Sequence, residues 1–191
     1  RPAGRGIAEA LAPQEEANAL AGDALRRPVL RADHLRGGRC LRGRLAPRLA
    51  LLGLVSFEDY YRYLRFAPER SEEQQRMVSH LTNNETYFFR EQPQLEVFSA
   101  HVLRAIKERK ARTGEKRLHA LSAGCSTGEE PLTLGMILFD SGQFFWGWDV
   151  RVTGLDVDEA ALEKARRGVY HQNALRAVTP PLLERHFVKD G

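Results

Sequence analysis

Two adjacent carboxylates, Glu129 and Glu130, sit inside the segment LHALSAGCSTGEEPLTL (118–134). An apolar run ends at Leu121, a tract of small residues follows, and after the two acids Pro131 opens a new apolar pattern. Small residues at a strand–helix junction let a ligand approach the backbone, and in a parallel sheet the turn after the first strand faces the ligand crevice. A phosphate ligand would call for Lys or Ser/Thr after the turn. Here it would meet two acids, and at about 4 Å and an effective dielectric near 20 each like-charge pair costs roughly 4 kcal/mol. The chemistry that suits this turn is recognition of positive charge or of hydroxyl groups. Taken alone, the turn could equally be an ordinary strand–helix junction.

A second acid-tipped segment, GLDVDEAAL (154–162), narrows the choice. An acid at the tip of the second strand is placed to accept hydrogen bonds from ribose hydroxyls, and Asp156 is that residue. Asp158 and Glu159 read more simply as acids at a helix N-terminus, favoured there by the dipole. A nucleoside that carries cationic groups and no phosphate describes S-adenosylmethionine, with its adenosine, sulfonium and α-ammonium.

These residues need a scaffold. The pattern predicts a strand over 117–122, a helix over 129–140, a strand over 150–155 and a helix over 158–167, preceded by a helix over roughly 93–112 that Gly114 closes. Strand, helix, strand, helix is the signature of a parallel sheet covered by helices. A short helix started by Thr179-Pro180 follows. Upstream, residues 35–82 read as a small helical domain. Leu41, Leu45, Leu49 and Leu52 share a stripe, with Arg42, Arg44 and Arg48 mostly off it. Gly37, Gly38, Gly43 and Pro47 predict that this first helix is broken or strained. Ser56 is the expected N-cap of FEDYYRYLRF, whose Phe57, Tyr60, Tyr61 and Leu64 share a face, and Ser71 the expected start of a third helix with Met77, Val78 and Leu81 inward. Residues 1–34 read as a flexible basic arm, 83–93 as a linker and 94–191 as the first half of an α/β domain.

The 191 residues carry a net charge of +4, unevenly placed. Residues 1–56 hold ten arginines, no lysine and five acids, so the basic character belongs to the N-terminal quarter and favours an acidic partner. Cys40 and Cys125 have neither disulfide-framework nor metal spacing, which suits a reducing cytoplasm, and the scattered histidines suggest no metal site. No apolar run reaches membrane-spanning length, and no signal-peptide pattern opens the chain.

The sequence resembles the chemotaxis receptor glutamate methyltransferases, the CheR family, through NETYFFRE (84–91), SAGCSTGEEPLTL (122–134), GLDVDEAALEKARRGVY (154–170) and TPPLLERHF (179–187). RLAPRLALLGLVSFEDYYRYL (44–64) is similar to the family's receptor-facing helical domain. The resemblance implies a Rossmann-like S-adenosylmethionine methyltransferase domain preceded by an all-helical domain. It implies that Asn84, Thr86 and Arg90 touch the cofactor, with Arg90 near the methyl, that Glu130 rather than Glu129 holds the methionine end, and that Asp156 holds the ribose. A fixed Arg90 guanidinium would orient an acceptor carboxylate beside the sulfonium; the plainer role is a pair with Glu91 or Glu85. Phe88 and Phe89 read as core or pocket walls, and Cys125 as a small buried thiol, since methyl transfer needs no covalent enzyme intermediate. The family's later adenine-reading Asn strand and methyl-proximal tyrosine have no counterpart here, so the chain is expected to be a fragment or a truncated product with half of the sheet.

The expected function is methyl-ester formation on glutamates of chemoreceptors by a cytoplasmic, monomeric enzyme, with Arg42, Arg44 and Arg48 docking acidic receptor helices. Two other classes compete: a non-catalytic receptor- or cofactor-binding module, and a nucleic-acid methyltransferase. Aromatics interleaved with the Arg run would favour the last, and residues 1–56 contain none.

Overall fold

A computed structural model describes residues 38–189; the expected arm over 1–34 lies outside the described residues. Three helices come first: α1 (Gly38–Leu51), α2 (Phe57–Phe66) and α3 (Arg70–Leu81). Ser56 caps α2 as expected, its hydroxyl accepting from the Asp59 amide at 3.1 Å. Helix α3 begins one residue before Ser71, with Glu69 at the cap position and no side-chain cap bond. Leu45, Leu49 and Tyr60 form the core of this unit, with Leu52, Leu54, Leu64, Met77 and Leu81 packed around it. Phe57 and Tyr61, expected on the inner face of α2, remain partly open to solvent.

The break expected in α1 does not occur: one helix runs through Gly43 and Pro47. A proline ring inside a helix crowds the carbonyl four residues back and leaves it unbonded. That residue is Gly43, which has free space around it. The burial of Leu45 and Leu49 on either side of Pro47 offsets the defect, at roughly 1.5–3 kcal/mol for each large apolar side chain.

Helix α4 (Gln92–Val97), a π-helical turn (Phe98–Val102) and α5 (Leu103–Thr113) follow in one continuous rod, which Gly114 ends in the left-handed conformation. Then come β1 (Arg117–Ala123), α6 (Glu129–Asp140), β2 (Asp149–Leu155), α7 (Glu159–Arg167), a 3₁₀ turn (Gln172–Leu175) and α8 (Pro180–His186). The strands pair in parallel, with Arg117 opposite Asp149 and Ala123 opposite Leu155, so their C-terminal tips are level. Leu103, Leu118, Leu138, Phe144 and Val152 make the core beneath them. No described helix is long and apolar enough to cross a membrane.

Candidate functional site

The level strand tips place the two acid-bearing turns side by side. The first turn is clipped to the second strand by its backbone: the amides of Gly124 and Cys125 both donate to the Leu155 carbonyl, at 2.7 and 2.9 Å. Asp156, just beyond β2, completes the clip. One of its carboxylate oxygens accepts from the Ser126 amide at 2.7 Å and the other from the Asp158 amide at 2.8 Å. Each oxygen keeps a second lone pair, so the half-buried carboxylate can still receive hydroxyl donors. Ser126 is held at φ 49° and Gly128 at φ 96°. A Cβ on Gly128 would stand 2.8 Å from the Ala165 Cβ and 2.9 Å from the Tyr170 hydroxyl, so only glycine fits there.

The two glutamates at the start of α6 part company. Glu129 is buried and accepts from the Thr127 hydroxyl at 2.6 Å. Glu130 is exposed, accepts from the Ser122 hydroxyl at 2.6 Å, and lines a cavity of about 480 Å³. Among the described residues no Arg, Lys or His pairs with Glu129, Glu130 or Asp156. The field is therefore negative, and Cys125 registers it. Burial first, then the charges of Asp156, Glu130 and Glu129, push its thiol up to about 11. At neutral pH the group is a thiol, not a thiolate nucleophile. A cationic nucleoside fits these residues: uncompensated acids, free acceptor sites on Asp156, and a backbone at Gly124 with open space where a side chain would stand.

The wall opposite the turn comes from the segment before α4. Thr86, Tyr87 and Arg90 line the cavity with Glu130, Cys125 and Ser126. Phe88 anchors this segment, fully buried, with its ring edge-to-face on Tyr170 at 4.8 Å and on Phe187 at 5.0 Å. Phe89 and Glu91 both take positive φ, so the chain doubles back around Arg90 and holds it at the rim. The Arg90 guanidinium donates to the Glu85 carbonyl at 2.8 Å and stands 3.8 Å from the Glu91 carboxylate, half exposed.

Two candidate residues lie elsewhere. The Asn84 side-chain amide is turned away from the cavity and donates to Asp158 at 2.6 Å. Arg48, expected on a docking face, has a side chain only 12% exposed and is bonded to buried Glu73. Arg44 and Arg42 do lie on the surface. Arg44 donates to the Leu81 carbonyl at 2.9 Å, and Arg42 stacks over the Phe57 ring at 5.8 Å.

Comparison with known proteins decides the family. Residues 84–191 match the profile described as CheR methyltransferase, SAM binding domain, and residues 39–82 the profile described as CheR methyltransferase, all-alpha domain. This chain belongs to the CheR methyltransferase family. Its cofactor is S-adenosylmethionine. The chain is 37% identical to the chemotaxis protein methyltransferase of Escherichia coli K12 over 162 residues, which is 84% of this chain and 52% of that protein. It is 36% identical to the Salmonella typhimurium protein of the same name over 84% of this chain and 51% of the relative. It is 35% identical to chemotaxis protein methyltransferase 2 of Vibrio cholerae over 75% and 49%. The chain thus spans about half the length of the curated relatives it matches.

Sequence reasoning missed Glu73 and the reach of Asp158. Glu73 lies four residues before Met77 on the inner face of α3, and Arg48 lies three after Leu45 and four before Leu52 on the inner face of α1. Two opposite charges on two facing apolar stripes were the available signal. Nothing local marks Ser79 as the partner of a residue 79 positions away.

Proposed function

We propose that this chain is the receptor-facing and cofactor-binding part of an enzyme that forms methyl esters on glutamate side chains of chemoreceptors. The observation that carries the reading is the unneutralised acidic turn facing, across one cavity, the guanidinium of Arg90. A cationic cofactor suits the acids and an anionic acceptor suits the arginine.

Bound S-adenosylmethionine supplies an electrophilic methyl group. In this reading Glu130 receives the ammonium end and Asp156 the ribose hydroxyls, while Thr86 adds a hydroxyl to the wall. Arg90 orients the acceptor carboxylate. A glutamate is already ionised at neutral pH, so attack requires alignment and exclusion of water rather than a general base. No residue near the turn has to take a proton, which agrees with a Cys125 thiol that stays protonated. Asn84 contributes from behind, through Asp158. Arg42 and Arg44 form the exposed basic edge of α1 for an acidic receptor helix, and Arg48 supports that edge from inside. The domains proposed are residues 35–82 for the receptor and 94–191 for the cofactor, joined by 83–93.

The test is to incubate the full-length protein with receptor-bearing membranes and cofactor labelled in its methyl group. Methanol released from the receptor band by mild alkali is the expected result. Alkali-stable label, or label on nucleic acid, would overturn the reading.

A further inference from the structure

Asp158 caps α7, and a cap needs only its own helix: the carboxylate accepts from the Ala160 and Ala161 amides at 3.1 and 3.4 Å. This one does much more. It is 2% exposed, and it gathers three side-chain donors from outside its own helix. Ser79 and Thr82, at the end of α3 in the helical unit, donate their hydroxyls at 2.5 and 3.3 Å. Asn84, at the start of the segment that carries Arg90, donates at 2.6 Å. Burial opposes the charge, but the bonds from Ser79, Asn84, Ala161 and Thr82 outweigh it and hold the carboxyl below the usual range. Asp158 is therefore an anion that several elements agree on.

Its other side faces the cofactor turn. The Asp158 amide donates to one oxygen of Asp156, whose second oxygen holds the Ser126 amide. Ser126 in turn donates its hydroxyl to the Asn84 carbonyl at 3.4 Å. The circuit runs from α3 through Asp158 and Asp156 to Ser126 and back to Asn84. It is the polar seam along which α3 meets α7.

We infer that Asp158 is a positioning residue that couples the seating of the helical unit, through Ser79, to the geometry of the cofactor turn at Asp156 and Ser126. Pulling Ser79 away leaves a buried carboxylate short of a donor, and it must shift or hydrate. Its amide then shifts with it, and Asp156 loses one of the two bonds that aim it. The coupling is reciprocal: a ligand that fixes Asp156 also favours the docked position of α3. An event on the helical unit, such as docking of an acidic partner, is thereby felt as a change in cofactor affinity.

The test compares Ser79→Ala, Ser79→Thr and Asp158→Asn with the parent chain. One measurement needs no ligand: hydrogen exchange at the Ser126 amide, read against the Val152 amide in the core. The other is calorimetric affinity for S-adenosylmethionine, and that arm rests on the proposed role of Asp156. Ser79→Ala is expected to speed exchange at Ser126 about tenfold with Val152 unchanged, and to weaken cofactor binding by a similar factor, as befits loss of a bond to a charged group. Ser79→Thr keeps the hydroxyl and is expected to restore both. Exchange that rises equally at Ser126 and Val152, or at neither, overturns the coupling and leaves Asp158 a structural cap. Faster exchange at Ser126 alone, with unchanged affinity, keeps the coupling and removes Asp156 from the cofactor site. Asp158→Asn keeps a capping side chain but cannot accept every donor, and it should exceed Ser79→Ala; if it fails to fold, the Ser79 pair decides the matter alone.

Discussion

Arg48 and Glu73 meet twice in the middle of the helical unit, Nε on Oε1 at 3.0 Å and Nη2 on Oε2 at 2.5 Å, and the Tyr60 hydroxyl donates to the same carboxylate at 2.9 Å. The fork joins α1 to α3, with α2 as the third corner. Removing one partner leaves the other charge buried and unpaired. Arg48→Ala or Glu73→Ala should therefore destabilise the unit by about 3–5 kcal/mol, read from urea unfolding. Arg42→Ala, on the surface, should change stability by no more than about 0.5 kcal/mol.

The same carboxylate makes the unit acid-sensitive. Burial alone would raise Glu73, but the bonds from Arg48 and Tyr60, and the Arg48 charge, outweigh it and leave the group below its ordinary value of 4.5. A depressed folded-state value means stability that is fully present above the unfolded-chain value and lost as pH falls through the folded one. Asp158 and Asp140 are depressed in the same sense. Urea midpoints should be level near neutrality and fall steeply below about pH 4.5. In Glu73→Gln, that acid slope should be shallower.

How much of this could be read from residues alone depends on distance along the chain. The strand–helix–strand frame and the start of α2 were legible to within about a residue because each boundary has a local cause: a glycine that turns the chain at 114, an apolar run that stops, a capping serine at 56. The acidic character of the turn was legible because Glu129, Glu130 and Asp156 need no partner to be acids. Two things were not. The fate of Pro47 depended on whether flanking leucines found a core, which is a tertiary fact. The partner of Asn84 is set by where α3 docks, and no local pattern encodes that.

Gly128 carries the tightest steric constraint in the site. Its backbone is left-handed, and a methyl group there would overlap both Ala165 and Tyr170. Tyr170 is held in place by its bond to the Thr127 carbonyl at 2.8 Å, so it cannot simply swing away. Gly128→Ala should cost about 2 kcal/mol or more from conformational strain and overpacking together. It should also lower the affinity for S-adenosylmethionine, measured by calorimetry. Gly43→Ala, where the space is open, should be neutral or slightly stabilising.

Cys125 offers a chemical readout of the field in the turn. With its thiol pushed up to about 11, the folded protein should resist alkylation of this residue at neutral pH, and peptide mapping should show labelling rising with pH only toward strongly alkaline conditions. Glu130→Gln removes one of the carboxylates that raise the thiol, so labelling should begin at lower pH. A reactive Cys125 in the native chain at neutral pH would mean that the turn is more open, or less negative, than its geometry implies.

Arg90 and Asp156 separate the two halves of the proposed chemistry. Arg90 is half exposed and its neighbours are a backbone carbonyl and a surface carboxylate, so Arg90→Ala should leave stability within about 0.5 kcal/mol of the parent. If it orients the acceptor, methyl transfer by the full-length protein should fall by orders of magnitude while cofactor affinity changes far less. Asp156 behaves oppositely. Asp156→Asn retains an oxygen for one backbone amide but sets its own amide group against the other, so the turn is disturbed and two anionic acceptors for ribose are reduced to one neutral one. Its cofactor affinity should drop about tenfold or more, with any loss of transfer recovered at high cofactor concentration. If Arg90→Ala and Asp156→Asn fail in the same parameter, the cavity does not divide into an acceptor side and a cofactor side, and the assignment of the two walls is wrong.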